Sequence, residues 1–287
     1  MKTYGSQSMV DELKRVLVRR PDEAFGKADP EYWHYTSQPD LAGAQAEHDA
    51  LVATLRDSGC EVAFHDASLP EHADAIFTHD PVIVTDEGAI VLRMGKAQRR
   101  GEEAAIATAL EHIGVPILTT LEGEATAEGG DLLWLDHDTL AVGRGYRTNA
   151  EGFRQLTAAL RPLGAKTVEV QLPHAGGPAA CLHLMSMISM IDHDLAVVYM
   201  PLLPVPFVEE LRERGVDLVE VPEDEYPTMG PNVLALAPRK CLVIEGNPIT
   251  LERLETAGCK VLTYRGRELS LKAEGGATCL TRPILRG

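Results

Sequence analysis

One order of elements recurs along this chain, and it restricts the fold more than any other feature. Two apolar runs, Val82–Thr85 and Ala89–Leu92, flank the turn Asp86-Glu87-Gly88. A helical pattern follows over Glu102–Ile113, then a stop at Gly114 and a short strand Val115–Leu118. The order returns with Asp131–Leu135 and Thr139–Val142 around Asp136-His137-Asp138, the helix Glu151–Leu163, Gly164 and the strand Thr167–Leu172. It returns again with Met185–Ile191, Leu195–Tyr199, the helix Val205–Arg214, Gly215 and Val216–Val221, and a fourth time with Val233–Ala237, Cys241–Ile244, the helix Ile249–Ala257, Gly258 and Lys260–Tyr264. A fifth copy is split between the chain ends. Thr278–Ile284 and Arg15–Val18 form its hairpin, and the helix Gln45–Asp57, Gly59 and the strand Glu61–Phe64 complete it.

Each unit alone leaves an apolar face open, and a ring of five buries those faces against one another. The expected fold is therefore α/β, a closed ring of five ββαβ-type repeats with about five-fold pseudosymmetry. It spans residues 1–287 as a single catalytic domain, with the fifth repeat closed by the N- and C-terminal segments; the competing arrangement is an open α/β sheet. Aligned at the start of the first strand, the units present Asp80, Asp131, His183, Asn232 and Cys279, spaced 51, 52, 49 and 47 residues apart. A closed ring gathers such equivalent positions near one axis, so a thiol, an imidazole and several carboxylates converge. The segment Pro21–Pro39, with Phe25, Tyr32, Trp33 and Tyr35, lies outside the pattern. It reads either as a lid or as a surface loop packed over an apolar patch.

Composition narrows the partners. The formal net charge of −16 repels a phosphate backbone, so nucleic acid is not an expected partner. No apolar run reaches the roughly 18–20 residues that cross a bilayer, and Met1–Val10 has no apolar core of a signal peptide. The five cysteines, Cys60, Cys181, Cys241, Cys259 and Cys279, are odd in number and form no CxxC pair, which fits a reduced, cytoplasmic chain with room for one reactive thiol. Gly143-Arg144-Gly145 lacks the third glycine of a dinucleotide fingerprint, and no histidine or cysteine set has metal-ligand spacing. No cofactor and no metal are expected.

Cys279 follows Gly275-Gly276-Ala277-Thr278, which leaves backbone space around a thiol nucleophile. His183 is placed to move protons, and Glu128, in Glu128-Gly129-Gly130-Asp131, to meet a cationic group. With these residues the sequence resembles the guanidine-modifying superfamily, whose fold is the five-bladed α/β propeller, and within it the dimethylarginine dimethylaminohydrolases. The resemblance covers nearly the whole chain. It rests on Phe77-Thr78-His79-Asp80-Pro81, Arg93 with Gln98-Arg99-Arg100-Gly101-Glu102, the Glu128 run, Arg147-Thr148-Asn149-Ala150-Glu151-Gly152, Leu182-His183-Leu184 and Ala277-Thr278-Cys279-Leu280.

The resemblance implies a hydrolase that cuts a guanidinium C–N bond through a covalent thioether on Cys279, taking dimethylarginine to citrulline and dimethylamine. His183 would protonate the departing amine and then activate water. Glu128 and Asp80 would hold the guanidinium nitrogens, Arg93 and Arg147 the substrate carboxylate, and Phe77 and His79 complete the expected substrate contacts. Two departures keep the exact guanidine open: Met185 stands where deiminases and amidinotransferases place an Asp, and His79-Asp80 stands where the dimethylarginine hydrolases place an acidic pair. Arginine deimination or amidino transfer, and a ring that only binds a basic amino acid, remain the rival readings. The expected partner is a small guanidino molecule, and exposed outer helices permit a homodimer.

Overall fold

The computed structural model describes residues 2–180 and 182–287; Cys181 and Met1 lie outside the described residues. Its strands form five three-stranded sheets. The first complete one is β3 (Val82–Thr85), β4 (Gly88–Val91) and β5 (Ile117–Thr120), with the helix α4 (Glu102–His112) between its last two strands. The pair β3/β4 is antiparallel across a tight turn, and β4/β5 is parallel, so the chain must cross over and does so through α4. Three further sheets repeat the scheme. They are β6 (Leu132–Asp136), β7 (Thr139–Arg144), α5 (Ala150–Leu160) and β8 (Lys166–Gln171); β9 (Ile188–Asp192), β10 (Leu195–Val198), α6 (Val205–Glu213) and β11 (Asp217–Glu220); and β12 (Leu234–Ala237), β13 (Lys240–Ile244), α7 (Pro248–Thr256) and β14 (Lys260–Tyr264).

The fifth sheet joins the chain ends. The last strand, β15 (Arg282–Arg286), runs antiparallel to β1 (Leu13–Val18), and β1 runs parallel to β2 (Glu61–Phe64) after the helix α3 (Leu41–Asp57). Two buried arginines of β15 tie this seam to its neighbours: Arg282 donates to the carbonyl of His79, and Arg286 to the carbonyls of Asp11 and Ala235. In each complete unit the first two strands are apolar and buried along nearly their whole length, while the third is half-buried to exposed. That gradient is what a mixed α/β fold with its cores between sheets and helices requires.

Two local expectations are corrected. Thr278–Leu280 form a turn, and the strand begins only at Arg282, because Thr281 Oγ1 bonds back to the carbonyl of Ala277 and holds the chain coiled. The third strand of the first unit sits two residues later than expected, since Pro116 cannot donate to a ladder. Pro21–Pro39 holds the short helices α1 (Glu23–Gly26) and α2 (Pro30–Trp33), capped by Asp22 and Asp29, with Phe25, Trp33 and Tyr35 buried. No described helix is long and apolar enough to cross a membrane.

Candidate active site

The five aligned positions do not open their strands. They lie just before them, in turns and short 3-10 segments where the backbone can change direction: Gly129–Asp131 before β6, Leu184–Ser186 after His183, and the turn that carries Cys279. From there they reach one place. A single cavity of about 150 Å³ is lined by Asp80, Gly130, His183, Asn232 and Cys279, one contribution from the turn preceding each sheet's first strand. In the second unit the contributor is Gly130, not Asp131. A Cβ at Gly130 would collide with the His183 ring, so glycine there lets the imidazole seat.

Behind the imidazole lies Glu128, with none of its surface exposed. Its Oε2 is 2.7 Å from His183 Nε2 and 3.4 Å from Arg147 Nη1, and its Oε1 accepts the Lys96 backbone N–H at 2.8 Å. Burial by itself would raise this carboxyl. The His183 hydrogen bond and the Arg147 charge outweigh burial and hold it far below the usual carboxylate range. Glu128 is thus an anion set against the histidine, and it does not line the cavity. Asp131 supports the same histidine from below, accepting Thr148 Oγ1 at 2.6 Å and the Leu184 N–H at 3.0 Å; burial pushes its carboxyl up to about 6.

Asp80 does reach the cavity. Its Oδ1 accepts the Gly130 N–H at 3.0 Å and its Oδ2 an Arg99 N–H at 2.5 Å. Burial opposes its charge, and Arg99 followed by His183 overcomes that and lowers its pKa. Arg99 is in turn forked onto Glu102 at 2.8–3.1 Å. Cys279 is part-exposed, and its sulfur accepts Asn232 Nδ2 at 3.3 Å. Asn232 Oδ1 holds the Thr278 N–H at 3.2 Å, so one amide fixes the turn and touches the thiol together.

A family model described as N,N dimethylarginine dimethylhydrolase, eukaryotic, matches residues 22–286. The chain belongs to that family. It is 32% identical over 269 residues to the N(G),N(G)-dimethylarginine dimethylaminohydrolase of Streptomyces coelicolor, covering 93% of this chain and 96% of that one. The corresponding protein of Pseudomonas aeruginosa is 27% identical, with 94% and 98% covered. A solved structure of the Pseudomonas aeruginosa protein, a Cys-to-Ser mutant complexed with citrulline, superimposes with a TM-score of 0.79 at 25% identity, over 95% of this chain and all of that one.

Within this dimethylarginine hydrolase-like site, Phe77 and Arg147 line the cavity as expected. Arg93 and His79 do not. Arg93 lines a separate surface groove beside Arg100 and Glu103, and among the described residues its guanidinium reaches only the Ala125 carbonyl, at 3.5 Å. On that stretch the arginine that reaches the cavity wall is Arg99, six residues on. His79 is buried against the last turn, with Nδ1 at 2.9 Å from the Thr281 carbonyl; burial and then Arg282 push its pKa well down, so it is a neutral structural residue. Asp74, Lys96 and Tyr226 line the cavity without having been singled out. Arg99 was visible inside the Gln98–Glu102 run, where Arg and Glu three apart on one face form a pair; Asp74 and Lys96 carried no motif.

Proposed function

We propose that this protein hydrolyses a guanidinium C–N bond through a covalent intermediate on Cys279, taking dimethylarginine to citrulline and dimethylamine. The observation that carries the reading is that Cys279, His183 and Asp80 share one cavity while the ionised Glu128 stands 2.7 Å behind the imidazole. Asp80 holds the guanidinium, keeping its carbon cationic and electrophilic. The Cys279 sulfur bonds to that carbon, and the resulting tetrahedral centre expels dimethylamine, which takes a proton from His183. Water then gives that imidazole a proton, adds its oxygen to the carbon and releases the thiolate. The buried carboxylate of Glu128, 2.7 Å from the imidazole, stabilises each imidazolium. Arg147 and Phe77 bind the rest of the substrate.

In this reading the five sheets are blades around the cavity, residues 1–287 form a single domain closed by the β15/β1 seam, and the protein works in the cytoplasm, in keeping with the free thiols Cys60, Cys241 and Cys259. The test is incubation with N,N-dimethylarginine and assay of citrulline and dimethylamine together. Equal amounts of both are expected. Ammonia from unmodified arginine, or transfer to an added amine, would assign the site to a deiminase or an amidinotransferase, and no ureido product from any guanidine would reject hydrolysis.

A further inference from the structure

The chemistry above concerns one end of the substrate, and the wall of the same cavity bears on the other. Three carboxylates reach that wall: Asp80, Asp74 and Glu274. Asp80 shares its arginine with Glu102. Asp74 is placed differently. Its Oδ1 accepts Tyr35 Oη at 2.6 Å and its Oδ2 accepts Lys96 Nζ at 2.6 Å, and both side chains of the ion pair are at most 10% exposed. The Lys96 ammonium also donates to the Trp33 carbonyl at 2.8 Å and lies 5.2 Å from the centre of the Trp33 ring. A carboxylate, a carbonyl and an aromatic face are the groups that receive an ammonium. Here the chain's own lysine fills them, and its backbone is fixed to Glu128. A second ammonium drawn to Asp74 would meet the first at close range.

We propose that Lys96 stands in for the α-ammonium of an amino-acid substrate. The site therefore also hydrolyses ω-guanidino carboxylates without an α-amino group, at least as well as the matching amino acids. This rests on the hydrolase reading and deepens it. The two bonds of Lys96 use two of its three N–H donors, and the third, with Arg147, receives the substrate carboxylate. The bond changes are those above: sulfur bonds to carbon, the dimethylamino group leaves with a proton, and water supplies the oxygen of the ureido acid and returns the proton.

The experiment compares kcat/KM for N,N-dimethylarginine and for its des-amino analogue, ω-(N,N-dimethylguanidino)pentanoate, and measures binding of both to the Cys279→Ser protein by calorimetry. The analogue is expected to match or exceed the amino acid on both scales. Lys96→Met frees Asp74 and is expected to shift the ratio toward the amino acid by at least ten-fold, while Glu274→Gln leaves it unchanged. A ten-fold native preference for the amino acid overturns the proposal, as does a ratio indifferent to Lys96→Met or one that changes with Glu274→Gln. Failure of the native protein to turn over either compound would strike at the hydrolase reading instead, and the calorimetric ratio would still decide this one. The native ratio also needs no variant to fold.

Discussion

Two buried histidines in this molecule live under opposite rules. His183, 5% exposed, faces the cavity and has an anionic carboxylate at 2.7 Å. His48, 1% exposed, sits on α3 in the split fifth unit, 6.4 Å from the Phe64 ring, and neither ring nitrogen makes a hydrogen bond among the described residues. Its nearest carboxylate oxygen, on Asp49, is 3.9 Å away. Around His183 nearly every polar atom is used by another: Glu128, Asp131, Thr148 and Arg147 interlock. His48 packs beside the Phe64 ring, and His65 is buried next to Arg19, whose Nη1 donates to the His65 carbonyl at 3.3 Å. A satisfied network fixes a charge in place; an unsatisfied imidazole in an apolar core is a packing element that must stay neutral.

The comparison breaks first at the cavity. Cys279→Ser is expected to drop turnover below detection while the protein stays folded and binds substrate, since the hydroxyl is a far weaker nucleophile than a thiolate. Circular dichroism, calorimetry and the citrulline assay on one preparation would check it. Glu128→Gln keeps the shape and removes the charge behind His183. It is expected to lower kcat by about 10²–10⁴-fold with a smaller change in KM, the range for disabling a proton-transfer group. A KM effect alone would mean that Glu128 touches substrate after all. Asn232→Ala removes one hydrogen bond to the sulfur and one to the Thr278 N–H. About a ten-fold loss in kcat is expected, equal to about 1.4 kcal/mol. Because Asn232 is a positioning residue, KM should hold.

The sequence carried most of this architecture and part of the site, and the division has a physical reason. The sheets were readable because buried strands are continuous apolar runs and each helix stops at a glycine such as Gly164 or Gly258. Cys279 and His183 were readable because equivalent turns converge. The job of Glu128 was not, because which way a side chain leaves a 3-10 turn depends on what packs behind it, here His183 from 55 residues away. Arg93 and Arg99 lie on one stretch, and only the pairing of Arg99 with Asp80 chooses between them. Lys96 and Trp33 are 63 residues apart and meet only in the folded chain, where Trp33 at the end of α2 lines the cavity.

The smallest effect tests the apolar half of the comparison. Burial pushes the His48 pKa from 6.5 down to about 4, with Asp49 pulling weakly the other way; burial and then Arg19 do the same to His65. Both nitrogens of His48 therefore remain neutral in the folded protein at pH values where the unfolded chain is already protonated. As pH falls through 6.5 the unfolded state takes up a proton that the folded state refuses, so stability declines until the folded pKa near 4 is reached. The slope is at most about 1.4 kcal/mol per pH unit for each histidine. His48→Phe keeps a ring against Phe64 and abolishes the titration. The stability of this variant relative to the native protein, from urea unfolding, is expected to rise by about 1.5 kcal/mol between pH 6.5 and pH 5, and kcat at pH 7.5 to stay unchanged. A difference that is flat with pH would mean that water or Asp49 supplies the bond the imidazole lacks, and the two histidines would then obey one rule.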